Sequence, residues 1–174
     1  MEIRSITGAD ASGLARFFQR IPEADRTFLK EDVEDPRVLE HWVLPGIARS
    51  IAVDGDEVVG SVAVVRLHGW SSHVGEVRLV VDPDHRGRGI GRLLARRAVL
   101  DAVDVGLTKL VVEVISDQAA LIAMFRGMGF EPEALLNDHV RDRTGQTRDL
   151  IVLANSVDEQ FAALTTAGLV DQLN

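Results

Sequence analysis

The sequence predicts one mixed α/β domain, and three observations carry that prediction. Apolar runs with strand character alternate with runs of helical periodicity through the middle of the chain. At 174 residues the chain is long enough for one domain with a sizeable core. Hydrophobic residues make up 46% and charged residues 26%, the balance of a soluble globular protein, and no repeat, linker or low-complexity tract interrupts it.

The elements follow in order. "IRSI" (Ile3–Ile6) predicts a short strand. Thr7 is placed to cap a helix, with Asp10 at its third position near the positive end of the dipole. Leu14, Phe17, Phe18 and Ile21 recur at helical spacing, and Pro22 stops the run. Glu23 to Trp42 contains the acidic "KEDVEDP", read as a short helix or loop, with a solvated turn as the plain alternative to a functional role. "RSIAVDGDEVVGSVAVVRL" predicts a hairpin, because two apolar runs flank the turn pair Asp54–Gly55. Val74–Val81 predicts a strand that Asp82–Pro83 ends, since proline cannot donate to a ladder and restricts the residue before it.

A helix is expected from about Gly89. Ile90, Leu93, Leu94, Ala98, Ala102 and Val105 share one face, Arg92, Arg96 and Arg97 lie mostly elsewhere, and Gly106 closes it. Lys109–Ile115 reads as a buried-type strand, and Gln118–Gly127 as a helix. "DHVRDRTGQTRDLIVLA" reads as a hairpin around Thr144–Gly145. Ser156 with Glu159 makes a capping box for a last helix, about Val157–Ala167. The domain is expected to span 1–155, with 156–174 adding a C-terminal helix packed on it.

Composition excludes several functions. The absence of cysteine removes disulfides, thiolate metal sites and cysteine nucleophiles, and fits the cytoplasm. The five histidines are scattered without helical ligand spacing, so no metal is expected. A net charge of −8 argues against nucleic acid and anionic membranes. No run approaches the ~20 apolar residues of a membrane helix. "MEIRSITGAD" has neither a basic n-region nor an apolar h-region, so no export signal is expected. A homodimer is left open.

The stretch "HRGRGIG" (His85–Gly91) puts glycine at 87, 89 and 91 between arginines, on a strand-to-helix connection. N–H groups at a helix start are unpaired and carry the positive end of the dipole. Glycines there let an anion touch those donors, and Arg86, Arg88 and Arg92 add charge, which reads as a diphosphate cradle. The alternative is a tight connection with no ligand. A kinase-type P-loop is absent, and the dinucleotide pattern G-x-G-x-x-G fails because Gly91 comes one residue early.

"VVDPDHRGRGIGRLLARRA" resembles motif A of the GCN5-related N-acetyltransferase (GNAT) family, Q/R-x-x-G-x-G/A, with Arg86, Gly89 and Gly91 in the pattern. "MFRGMGF" about forty residues later and the order of elements extend the resemblance from about Ile3 to Ala154. It implies a mostly antiparallel mixed sheet with helices on both faces and splayed central strands. It implies acetyl-CoA as cosubstrate and an amine as acceptor. The amides from Arg86 through Gly87, Arg88, Gly89 and Ile90 to Gly91 would hold the pyrophosphate, with Arg92 beside them. Leu79, Val80 and Val81 would pair with pantetheine, on a strand that carries a bulge in the family. The plain alternative for these three is a core strand.

Amine acylation needs a neutral nucleophile, and neutralising an alkyl amine of pKa ~10.4 at pH 7 costs about 4.6 kcal/mol. A carboxylate can take that proton. Glu76, five residues before Val81, is the candidate base, with a salt-bridging surface glutamate as the alternative. Glu113 and His73 are weaker candidates. The family's tyrosine acid maps to Phe125, and the chain has no tyrosine at all. A thiol of pKa ~8.5 leaves as thiolate for about 2 kcal/mol, so water, Ser116 or the amine's own proton can serve. The family's asparagine maps to Gln118. "KEDVEDP" and the His68–His73 loop are the candidates for contacting the acceptor. A binding module that kept the CoA loop and lost chemistry is the second reading.

Overall fold

In the computed structural model, which describes residues 1–26, 29–42 and 48–170, seven strands form one sheet. They are β1 (Glu2–Ser5), β2 (Arg49–Asp54), β3 (Glu57–Arg66), β4 (Val74–Val81), β5 (Lys109–Ile115), β6 (Glu131–Arg141) and β7 (Thr147–Ser156). The order is β1-β2-β3-β4-β5-β7-β6, and β4 with β5 is the one parallel pair among them. The helices are α1 (Ala11–Arg20), α2 (Glu23–Arg26), α3 (Pro36–Trp42), α4 (Ile90–Asp104), α5 (Ala119–Arg126) and α6 (Val157–Thr166). Parallel neighbours need a crossover, and α4 supplies it between β4 and β5.

Helices cover both faces of the sheet. On one, Leu14, Phe17 and Phe18 of α1 and Leu39 and Trp42 of α3 bury against Ile51 and Val58. On the other, Leu94, Ala98 and Ala102 of α4, Phe125 of α5 and Val157 and Leu164 of α6 share a core with Val62, Val77 and Val112. All four residues that predict the α1 face bury, and so do Ile90, Leu94, Ala98 and Ala102 of the predicted α4 face, because one stripe of each helix must leave water; Leu93 and Val105 are only half-buried.

The ladder between β4 and β5 is short. Val74, Gly75 and Glu76 pair with Lys109, Leu110 and Val111, and no pairing follows from Val77 onward. The two strands splay, and the β5-facing edge of Val77–Val81 has no strand partner. The bulge that the resemblance implies in β4 is absent: its register with β3 runs unbroken from Gly60–Val81 to Arg66–Gly75. Register shifts lie instead at Ala52/Val53 between β2 and β3, and at Pro132/Ala134 and Leu136/Val140 between β6 and β7.

Other details differ from expectation. The first strand is Glu2–Ser5, one residue earlier than expected. Thr7 precedes a 3-10 turn, Gly8–Asp10, before α1 begins. The Asp10 carboxylate accepts from Thr7 N–H and Oγ1, both at 2.8 Å, and twice from Arg4; the Arg4 bond chiefly pushes it down to about 2. Glu23–Trp42 holds two short helices rather than one. β5 is not buried throughout, since Val111 and Glu113 are half-buried on one face. Gln118 stands just outside α5 as its N-cap residue. Ser156 Oγ accepts from the Glu159 N–H at 3.4 Å. Residues 171–174 of the expected terminal segment lie outside the described residues.

Gly75 sits in the middle of the short ladder. A Cβ there would lie 2.6 Å from Leu107 Cδ1 and 2.7 Å from Val64 Cγ1, so the α4–β5 connection settles directly on its backbone. Gly75→Val is expected to lose about 1–3 kcal/mol of stability through overpacking. Urea unfolding monitored by circular dichroism measures it, and an unchanged midpoint would show that the connection can move aside.

Candidate active site

β4 leaves the sheet through an anchored turn. Asp82, 2% exposed, accepts from the Asp84 N–H at 3.0 Å and from Arg20 Nε at 2.8 Å. Burial pushes its carboxyl up, but these donors outweigh that and hold it below the usual range. Arg20 also donates to the Val58 carbonyl at 2.7 Å, so the end of α1 fixes where the loop starts. Gly87 and Gly89 then take φ of +75° and +80°, left-handed conformations that favour glycine. At Gly91 a Cβ would lie 3.2 Å from Met124 Sδ, so its absence lets α4 and α5 come close. Leu93 N–H, donating to the Gly89 carbonyl at 3.1 Å, starts the helical ladder. The N–H groups just before it stand outside that ladder.

One cavity of about 1050 Å³ begins at this loop, passes the gap between β4 and β5, and reaches the opposite face of the sheet. Val77, Leu79 and Val81 line it from the α4 side, where they pack on the core. Gln118, Ala119 and Met124 form the far wall. A smaller cavity of about 440 Å³ lies between α1 and α3; of the candidate stretches only "KEDVEDP" touches it, through Val33 and Glu34, and none of the CoA-loop or base candidates does.

On the opposite face the cavity ends in charge. Lys30 Nζ lies 2.6 Å from Glu76 Oε1 and 2.6 Å from Glu113 Oε2. Arg78 donates to Glu76 at 3.0 Å, and its other terminal nitrogen is 3.4 Å from Glu31. Arg49 donates to both Glu31 oxygens at 2.9 Å and lies 3.8 Å over the Trp42 ring. Burial pushes the Glu76 carboxyl up, yet the hydrogen bonds from Arg78 and Lys30 outweigh it and leave it below its ordinary value. For Lys30, burial pulls the ammonium down, while Glu113 and Glu76 raise it above its ordinary value on balance. Two carboxylates converging on one nitrogen can hold a cation and receive a proton from it.

Glu76, Leu79, Val80, Val81, Arg86, Gly87, Gly89, Ile90, Gly91, Arg92, Gln118 and Phe125 all line this cavity. Arg88 does not; its side chain turns back to the Asp84 carbonyl at 3.2 Å. Arg86 reaches across to Asp25 at 2.6 Å. His73 and the His68–His73 loop lie at the closed end of the β4–β5 pair and take no part in the lining, and neither does Ser116. Phe125 is 1% exposed and meets Phe130 edge-on at 5.1 Å, so it is a core residue that backs the cavity. Of the two stretches expected to contact the acceptor, "KEDVEDP" does reach the cavity, through Lys30, Glu31 and Val33, whereas sequence reasoning missed Arg49 and Arg78 altogether. Both sit at ordinary strand positions, and only the alternation of β4, which puts Arg78 on the face of Glu76, hinted at one of them.

A family model described as the Acetyltransferase (GNAT) family matches residues 14–130. The chain belongs to that family. Streptothricin acetyltransferase of Streptomyces lavendulae is 36% identical over 80 residues, 46% of this chain and 42% of that protein. The chain spans between 36% and 51% of the length of the curated relatives it matches. Ribosomal-protein-alanine N-acetyltransferase from Brucella melitensis superposes with a TM-score of 0.78 at 25% identity, over 90% of this chain and 99% of that one. The yncA protein of Salmonella typhimurium, solved with its cofactor acetyl-CoA, gives 0.80 at 21% identity, over 91% and 94%. The splayed sheet and the glycine turn are thus seen here in a GNAT chain.

The burial of Phe125 yields a test of its role. Phe125→Tyr is expected to cost about 1–3 kcal/mol, because a hydroxyl in that core finds no partner. Denaturant unfolding checks it; unchanged stability would mean that the hydroxyl reaches the cavity.

Proposed function

We propose that this GNAT chain is an acetyl-CoA-dependent N-acetyltransferase acting on a primary amine, of a small molecule or of a peptide or protein lysine or N-terminus. The observation that carries the reading is the continuity of one cavity from the glycine turn, through the β4–β5 gap, to Glu76 and Glu113. The residues suit the cosubstrate. Donors at the start of α4, no Cβ at 87, 89 and 91, and the Arg86 and Arg92 cations at the rim suit a diphosphate. Arg88 would contribute its N–H rather than its side chain. The bare edge of Leu79, Val80 and Val81 suits an amide-rich chain that adds as a strand. Gln118 and Phe125 would bound the acyl end. Bound there, acetyl-CoA supplies an activated thioester.

The chain's own residues then manage charge and protons. Glu76 and Glu113 attract an ammonium to the apex of the splay, where the last β4–β5 pair is Glu76 with Val111. Glu76, held ionised by Arg78 and Lys30, is in the protonation state that accepts the amine's proton. No tyrosine donates to the departing sulfur, and water in the open cavity fills that role. The lack of a hydroxyl at Phe125 is the one observation that favours the second reading, a CoA-binding module with weak chemistry. A chain without cysteine suits the reducing cytoplasm, where we place it.

Acetyl-CoA at ~100 times its dissociation constant is expected to stabilise the protein by about 2.7 kcal/mol. Gly89→Asp should abolish the thermal shift by placing a negative side chain at the diphosphate. No shift with the wild-type protein would overturn the reading.

Glu76→Gln should keep the thermal shift and lower amine acetylation by ~10²–10⁴-fold. Because Glu76 is already ionised below its ordinary range, wild-type turnover should rise with pH through neutrality as the acceptor amine loses its proton. Thiol release across an amine panel measures both. Wild-type turnover in the variant would mean that another group is the base.

A further inference from the structure

The amine nearest the proposed chemistry belongs to the chain itself. Lys30 Nζ stands between Glu76 and Glu113 at 2.6 Å from each, inside the cavity that also holds Val80, Val81 and Gly89. It occupies the place where an acceptor ammonium would have to sit. Its side chain is 38% exposed and lines the cavity, so it is not sealed off from solvent. Lysine is also rare here. The chain has two, Lys30 and Lys109, among its 19 basic residues. Lys109 is equally exposed, at 36%, but pairs with Glu133 at 2.7 Å and lies outside the cavity. The lysine in the cleft thus has a built-in internal control.

We propose that Lys30 is a self-acetylation site, at which the chain's own amine takes the acceptor's place when no other amine is bound. The inference rests on the acetyltransferase reading above. In the step, Lys30 gives up one proton to Glu76 or Glu113, and its nitrogen lone pair forms a C–N bond to the acetyl carbonyl carbon. The C–S bond breaks and the pair of electrons leaves with sulfur. The proton held by the carboxylate and the second proton lost by nitrogen go to the thiolate and to solvent, leaving N-acetyl-Lys30 and CoA. No oxidant or further reactant is needed. The groups that meet the amine are Glu76 of β4 and Glu113 of β5; Arg78, Glu31 and Arg49 follow from Glu76 in a chain of ion pairs. The two carboxylates favour the ammonium, so the modification is slow at neutral pH and speeds up as pH rises. Once acetylated, Lys30 no longer presents a cation to the two carboxylates, and they are left to an external ammonium.

The test is peptide mapping by mass spectrometry of the purified full chain after incubation with acetyl-CoA alone at pH 7 and pH 9. Thermal shift with CoA and thiol release with free amines are measured on the same preparation. Lys30 should gain one acetyl group roughly a hundredfold faster than Lys109, the low end of what a placed base gives. Gly89→Asp should bring Lys30 down to the Lys109 rate, and Glu76→Gln should slow it while the CoA shift remains. Lys30→Arg should leave no acetyl on the peptide and keep the charge. Equal acetylation of Lys30 and Lys109 would be solution chemistry and would overturn the proposal. So would an unmodified Lys30 in a protein that still acetylates free amines, a result that leaves the acetyltransferase reading standing. Absence of both CoA shift and thiol release would overturn that reading, and self-acetylation with it.

Discussion

The structure depends on a parallel ladder that stops early. β4 and β5 share three residue pairs and then part. Everything placed at the site follows from that parting. The free edge of β4 is available for an extended ligand because β5 has left it. The two faces of the sheet communicate because no backbone fills the gap. Glu76 and Glu113 reach one nitrogen because one closes the paired segment and the other stands two residues beyond it on the diverging strand. An unbroken pair would hide the strand edges in hydrogen bonds and separate the glycine turn from the carboxylates.

The splay exposes polar backbone edges, and the surrounding elements hold it open. The paired end is closed by the contact of Leu107 with Gly75. The open end is set by Gly91 against Met124, which brings the start of α4 to α5. The turn between them is tied by Asp82 to Arg20 on the other face of the sheet. Loop, strand and first helix are thus tied to one another by side-chain contacts, as a donor-lined ligand site requires.

The charged cluster across the gap contains three cations, Lys30, Arg49 and Arg78, and three carboxylates, Glu31, Glu76 and Glu113. Burying a lone charge is costly, and the alternation of signs offsets this. The arrangement also makes the ends of the cavity unlike: backbone donors and arginines at the loop, paired carboxylates at the apex. Such a difference would give a molecule bound as proposed a direction, with its anionic end at the loop.

Local chemistry made much of this legible from sequence alone. The α1 and α4 stripes, the β2–β3 turn at Gly55, the end of β4 at Asp82–Pro83 and the glycines at 87, 89 and 91 depend on residues within a few positions of one another, and periodicity and turn chemistry act at that range. The resemblance carried by Arg86, Gly89 and Gly91 added the splay and the base candidate Glu76, but also a β4 bulge that this chain lacks. Tertiary structure alone decided the rest. Lys30 meets Glu76 and Glu113 across 46 and 83 positions of sequence, Arg49 of β2 meets Glu31 across 18, and Phe125 meets Phe130 edge-on and backs the cavity from the core. Pairing at such separations is set by how helices and strands close over the sheet, and no local pattern encodes which distant charge will arrive.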